Sequence, residues 1–187
     1  LLQSITERAR RHPKRVVFAE ADHYKILKAA QTARDDGVAI PILLGKKDRI
    51  KNLIEEYGLD FENVEIIDPR SRSEEERRKE VAKVLFEKRK RRGYTFYEAK
   101  KIMRERNYFG AAMVESGEAD VMISGLTRNY PDTVKPALQV IGTDPEVNKI
   151  AGMYVIITKN GPLFLADATV NYSPTAEGLA EITVLVA

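Results

Sequence analysis

The stretch SGLTRNYPDTVKPALQ, residues 124–139, gathers groups able to hold a small anion. Ser124 and Thr133 supply hydroxyls, Gly125 lets backbone approach a ligand, and Arg128 and Lys135 add positive charge. The stretch follows an apolar run, DVMI at residues 120–123, and leads into a helical pattern, so it reads as a strand-to-helix crossing. A helix start offers free N–H groups and the positive end of the helix dipole, both suited to phosphate or carboxylate. The spacing predicts a short helix over 133–140 with Asp132 as its cap. Lys135 then falls in the first turn, with Pro136 where a missing N–H costs little. An ordinary Asx or Ser/Thr turn accounts for the same residues, and from spacing alone it is the simpler reading. Neither a Walker signature nor GxGxxG is present.

A second cluster is KRKRRG, residues 88–93. It suits phosphate or nucleic acid, but cations also complement a helix C-terminus, and composition alone favours a solvated helix end. In open α/β sheets ligands bind beyond the carboxyl ends of the strands, which adds residues 20–23 and 68–72 as candidates. Asp167 and Asn171 read either as polar site residues or as a strand end and a turn. With His12 and His23 as the only histidines and no Cys, no metal site is expected; the lack of Cys also excludes disulfides and fits a cytoplasmic protein. No catalytic residue is assigned.

The elements that must position these groups follow from patterning. Ser4-Ile5-Thr6-Glu7 has the form of a capping box for a helix reaching His12, stopped by Pro13. RVVFAE (residues 15–20) is a buried strand, and Asp22 caps a helix closed by Gly37. IPILLG (40–45), a helix over 47–57 and VEIID (64–68) continue the alternation. Ser73-Glu74-Glu75-Glu76 is a second capping box, opening a helix to about Arg92, and Thr95-Phe96-Tyr97-Glu98 a third, opening a helix through Met103. A helix over 107–116 precedes DVMI. Later come a strand over 150–158, a hairpin signal at Lys159-Asn160-Gly161, a returning strand over 163–166 and a helix over 174–187.

Strand–helix alternation implies an α/β fold, three-layer α/β/α with a mainly parallel sheet. The change of character near Gly142 divides the chain into a first α/β lobe, 1–143, and the start of a second, incomplete lobe, 144–187. Across 187 residues, 31 basic and 28 acidic side chains give a net charge of +3. That mixture suits a small anion better than nucleic acid. No apolar run is long enough to span a bilayer. LLQSITERARRHPKR lacks the apolar core of a signal peptide and reads as an internal start, since it does not open with Met.

Several segments together resemble a known family. RVVFAEADHYKILKAAQTARDDGVAIPILLG, KRKRRGYT, SGEADVMISG, DTVKPALQVIGT and LADATVNYSPTAEGLAEIT occur in the order seen in phosphotransacetylases, the phosphate acetyl- and butyryltransferases. The resemblance covers nearly the whole chain. TERARRHPKRVVFAE and SGLTRNYPDTVKPALQVIG are similar to the phosphotransacetylase-like C-terminal domain of bacterial NADP-dependent malic enzymes. True transferases tend to carry an Ala-Val-His-type stretch where this chain has Leu126-Thr127-Arg128.

The resemblance implies a two-lobed phosphotransacetylase-like fold, related to isocitrate dehydrogenase-like folds, with a ligand cleft between lobes and a homo-oligomer of at least two copies. In the family the CoA thiol attacks the carbonyl of an acyl phosphate, arginines hold the phosphate, and an Asp near a Ser-rich loop assists thiol deprotonation. Arg89 falls at a phosphate-binding Arg of the family pattern, here Arg89-Lys90-Arg91-Arg92-Gly93. Lys135 stands where the family's Thr-x-Arg-Pro stretch has Arg, keeping the charge without the bidentate fork. The Ser-rich loop and its Asp are expected beyond the last helix. The implied phosphate and acyl-CoA set is therefore Arg89, Ser124, Gly125, Arg128, Thr133 and Lys135.

The implied role is that of a malic-enzyme C-terminal domain, binding acetyl-CoA as a regulatory ligand and supporting oligomerisation. Malate oxidation, with its NADP and divalent metal, is then assigned to a separate N-terminal malic-enzyme region, and no cofactor is expected in this chain. The alternative is a phosphate acetyltransferase. A polyanion-binding module built on KRKRRG ranks last, so neither nucleic acid nor membrane is an expected partner.

Overall fold

A computed structural model describes residues 2–187 except residue 168, so Ala168 of the LADATVNYSP stretch lies outside the described residues. The chain forms two compact units, Leu1–Ile141 and Gly142–Ala187.

In the first unit α1 (Leu2–Arg11) leads into β1 (Lys14–Phe18), α2 (Tyr24–Asp35), β2 (Ala39–Leu44), α3 (Lys47–Glu56) and β3 (Glu65–Ile67). Next come α4 (Glu75–Arg89), α5 (Phe96–Ile102), α6 (Arg106–Glu115), β4 (Val121–Ile123) and α7 (Tyr130–Val140). The four strands are parallel, in the order β3-β2-β1-β4. Side chains alternate across the sheet, as a period of two requires. Val16, Phe18 and Leu43 pack with Leu27 and Ala30 of α2 and Ile50 of α3. Val17, Ile42 and Leu44 pack on the other face with Val81 and Leu85 of α4 and Phe109 and Met113 of α6. Each such Leu or Phe contributes about 1.5–3 kcal/mol by leaving water. Helices cover both faces, which is why these strands read as continuous apolar runs. The expected three-layer architecture with a mainly parallel sheet is the one observed.

α6 lies close to the sheet because it carries Gly110. A Cβ there would meet the Met122 sulfur at 2.7 Å and the Val17 side chain at 3.2 Å.

Several helix starts differ from the sequence expectation. α1 begins at Leu2, so Ser4 lies inside it rather than capping it. α2 is capped by His23, whose Nδ1 accepts from the Lys25 amide at 3.2 Å, while Asp22 pairs with Arg106. The Ser73 box does not form: α4 starts at Glu75, and the Ser73 hydroxyl meets that of Ser71 at 2.9 Å. The Thr95 box does form, with Thr95 Oγ1 accepting from the Glu98 amide and the Glu98 carboxylate accepting from the Thr95 amide.

α7 starts three residues before the expected Thr133, capped by Asn129 rather than Asp132; the Asn129 side chain accepts from the Asp132 amide at 3.0 Å. Asn is at least as good a cap as Asp, and Pro131 suits a first turn. Lys135 therefore sits in the second turn and Pro136 inside the helix.

In the second unit β5 (Met153–Thr158) and β6 (Gly161–Ala166) form an antiparallel hairpin, and α8 (Ala176–Val186) follows, capped by Thr175. Asp167 accepts from the amides of Gly152, Val170 and Asn171, so Asp167 and Asn171 organise the turn after β6. Among the described residues no helix is long and apolar enough to cross a membrane.

Candidate functional site

The crossing from β4 to α7 is fastened by a residue from another strand. Glu20 follows β1 and is 1% exposed. Its carboxylate accepts from the amides of Gly125 at 2.7 Å, Leu126 at 2.8 Å and Thr127 at 2.7 Å, and from the Thr127 hydroxyl. A buried carboxylate is costly unless such charge-assisted bonds replace its water. Burial pushes the Glu20 carboxyl up, but the Thr127 hydroxyl and the three amides outweigh that and bring it down to about 2. Glu20 is thus ionised at neutral pH. The amides of Gly125, Leu126 and Thr127, which precede the helix start, are thus engaged by Glu20. Gly125 owes its identity to its φ of 121°, which side-chain-bearing residues rarely adopt.

A second fastening comes from the start of α6. Asn107, 1% exposed, accepts from the Ser124 hydroxyl at 2.9 Å and donates through Nδ2 to the Asp132 carbonyl at 3.4 Å. That carbonyl is the one left without a helix donor by Pro136, so Asn107 partly replaces the missing bond. Glu105 caps α6, accepting from the amides of Asn107 and Tyr108 at 2.9 and 3.1 Å. It also lies 3.6 Å from the guanidinium of Arg128. Ser124 and Arg128 are both held against the first turn of α6.

The remaining expected residues are placed as follows. The Thr133 hydroxyl donates to the Asn129 carbonyl at 3.1 Å. Lys135 is exposed and pairs with no carboxylate among the described residues. Arg89 donates from Nε to the Gln139 carbonyl at 3.1 Å and from Nη2 to the Leu138 carbonyl at 2.9 Å. Lys88 donates to the Ile141 carbonyl at 2.7 Å. The start of the KRKRRG run thus satisfies carbonyls at the negative end of α7. Ser124, Gly125, Arg128 and Thr133 come together at one end of that helix. Arg89 lies at the other, on the order of 15 Å away at 1.5 Å per residue.

Beside this loop, beyond the carboxyl ends of β1, β2 and β3, lies a pocket of about 330 Å³. It is bordered by Asp22, Lys46, Asp68, Arg70, Arg104 and Arg128, among others, so both strand-end candidates, 20–23 and 68–72, contribute to it. The sequence reading missed Asn107, Arg104 and Arg106. It also missed the role of Glu20, although an acid ending the apolar run RVVFAE was a signal. Among the described residues no group of three or more His, Cys, Asp or Glu is arranged to hold a metal ion.

These features can be set beside known proteins. The chain is 36% identical to the phosphate acetyltransferase of Thermoanaerobacterium thermosaccharolyticum, over 98% of this chain and 56% of that protein. It is 31% identical to the NADP-dependent malic enzyme of Rhizobium meliloti, over 97% of this chain and 24% of that protein. The solved structure of a phosphotransacetylase from Streptococcus pyogenes matches with a TM-score of 0.84 at 31% identity, covering 98% of this chain and 56% of the other. The chain thus spans a little over half the length of the acetyltransferase relative it matches. The family described as phosphate acetyl/butaryl transferase is matched from residue 1 to residue 187, and the chain belongs to that family.

Proposed function

We propose that the chain is part of a phosphate acetyltransferase, moving an acetyl group between acetyl phosphate and CoA. The observation that carries this reading is the Glu20-fastened loop, which leads from a parallel strand into α7 and holds Ser124 and Arg128 in fixed places. Acyl transfer rewards such fixed placement, because groups already oriented need no reorganisation as charge develops. The thiolate sulfur of CoA attacks the carbonyl carbon of acetyl phosphate. A C–S bond forms, the C–O bond to phosphorus breaks, and phosphate leaves with the electron pair. Negative charge builds first on the carbonyl oxygen and then on the leaving phosphate, so cations beside it lower the barrier. Lys135, exposed and without a counter-ion among the described residues, serves as that cation, with the half-buried Arg128 as the second. Arg89 acts in this reading as a positioning residue, holding the C-terminal turn of α7. A homo-oligomer of at least two copies is part of the same reading. The greater identity to the acetyltransferase, 36% against 31% for the malic enzyme, supports it.

A second reading is favoured by one specific feature. That feature is Lys135, which stands where the transferase resemblance implies an arginine, in a chain that the malic-enzyme relative also matches over 97% of its length. In that reading the domain binds acetyl-CoA as a regulatory ligand, and NADP and a divalent metal serve another part of the protein. Assaying the intact protein for acetyl-CoA formation and for malate-dependent NADP reduction separates the two. Acetyl transfer without malate oxidation supports the proposal. Malate oxidation that responds to acetyl-CoA, without acetyl transfer, replaces it.

A further inference from the structure

The loop after β4 does not exhaust the cationic surface at the ends of the strands. Three adjoining pockets share Arg70 and Arg104, forming one continuous groove from the ends of β2 and β3 to α5. Nine basic and four acidic residues line it. The whole chain carries only +3, so the rest of the chain is slightly acidic and the positive charge is concentrated here.

Each acid in the groove is already engaged. Asp22 pairs with Arg106, Glu75 with Lys100 at 3.4 Å, and Glu105 with Arg128 and the α6 amides. Asp68 accepts from the Arg70 amide at 2.9 Å. That leaves Lys46, Arg70, Arg72, Lys101 and Arg104 exposed and without a carboxylate partner among the described residues.

The presentation of these charges is built rather than incidental. Arg78 is 5% exposed and donates to the carbonyls of Pro69 at 2.8 Å and Ser71 at 2.5 Å. A buried arginine therefore fixes the turn that carries Arg70 and Arg72 outward. Opposite it, Arg104 follows the fully buried Met103 at the end of α5. Like charges held together repel, and a multivalent anion between them removes that cost. Guanidinium forks on two separate elements match several phosphate groups better than one.

We infer that this groove binds a ligand with two or more adjacent phosphates, the chemistry shared by pyrophosphate and by nucleoside di- and triphosphates. The five unpaired cations all lie outside the loop after β4, although Arg128 of that loop also borders the first pocket. It is tested by calorimetric titration of the intact protein with orthophosphate, pyrophosphate, ADP and CoA. Pyrophosphate is expected to bind at least about tenfold more tightly than orthophosphate, and a Arg70→Gln/Arg104→Gln double variant to weaken it by a further factor of about ten. ADP binding much tighter than pyrophosphate assigns a nucleoside-bearing ligand, and equal binding assigns inorganic pyrophosphate. Lys135→Ala should leave pyrophosphate affinity unchanged. If the double variant loses its cooperative melt, the exposed Arg72→Gln and Lys101→Gln variants give the same readout. Equal affinity for orthophosphate and pyrophosphate, no effect of these substitutions, or binding of CoA that pyrophosphate does not displace overturns the inference. So does RNA binding that pyrophosphate cannot displace.

Discussion

The loop after β4 and the groove beside β3 lie at the carboxyl ends of one parallel sheet, yet they treat charge in opposite ways. In the loop the polar groups are turned inward. Three amides and a hydroxyl meet Glu20, Ser124 donates to Asn107, and Arg128 pairs with Glu105. In the groove the acids are neutralised and the cations face solvent. One region has bonds to lose and little free charge; the other has free charge and little to lose. A strand-end loop in an open α/β sheet is thus not by itself an anion cradle. Here its amides hold the loop in place, and anion recognition falls to side chains.

The contrast can be broken most directly at Glu20. Glu20→Gln keeps the shape but removes the charge that the loop amides surround, and it brings an N–H₂ group against other donors. A loss of about 2–4 kcal/mol in unfolding free energy is expected from chemical denaturation. Arg70→Ala, in the groove, should change stability by no more than about 0.5 kcal/mol. Equal losses in the two variants would erase the distinction.

Acid titration sharpens it further. The Glu20 carboxyl is lowered to about 2 in the folded protein, so its contribution is fully present above the unfolded-state value and disappears as pH falls through the folded one. Up to about 3 kcal/mol should be lost between roughly pH 4.5 and pH 2 on this account. The acid limb of a stability–pH curve should flatten in Glu20→Gln and stay unchanged in Arg70→Ala. Asn107→Ala leaves the Asp132 carbonyl and the Ser124 hydroxyl without their partner, and a loss of about 1–3 kcal/mol is expected in the same denaturation experiment. The smallest effect is expected from Lys135→Arg. It leaves stability within about 0.5 kcal/mol and lowers KM for acetyl phosphate, because a fork replaces a point charge. A raised KM would remove Lys135 from the phosphate-facing set.

Local pattern made the layers legible. RVVF and IPILL read as buried strands because both sheet faces are covered, and the Thr95-to-Glu98 box was visible because its partners lie three residues apart. What escaped was long-range. Glu20 and Gly125 are 105 residues apart, and nothing near RVVFAE names the partner of its acid. The start of α7 was misjudged because Asn129 and Asp132 are both good caps, and only the observed bond decides between them. Basic residues in KRKRRG and in the groove have the same composition. The difference lies in the partners: the Arg89 side chain donates to two carbonyls ending α7, whereas the Arg70 side chain has no such bond among the described residues.

The central claim is that the fastened loop serves acetyl transfer. Its most direct test is the rate of acetyl-CoA formation from acetyl phosphate and CoA by the intact protein, compared with that of Glu20→Gln at a temperature where both are folded. The account predicts saturable turnover that falls by at least about tenfold in the variant, as expected when a positioned site is loosened. Turnover unchanged by the substitution, or no acetyl-CoA from the intact protein, would contradict it.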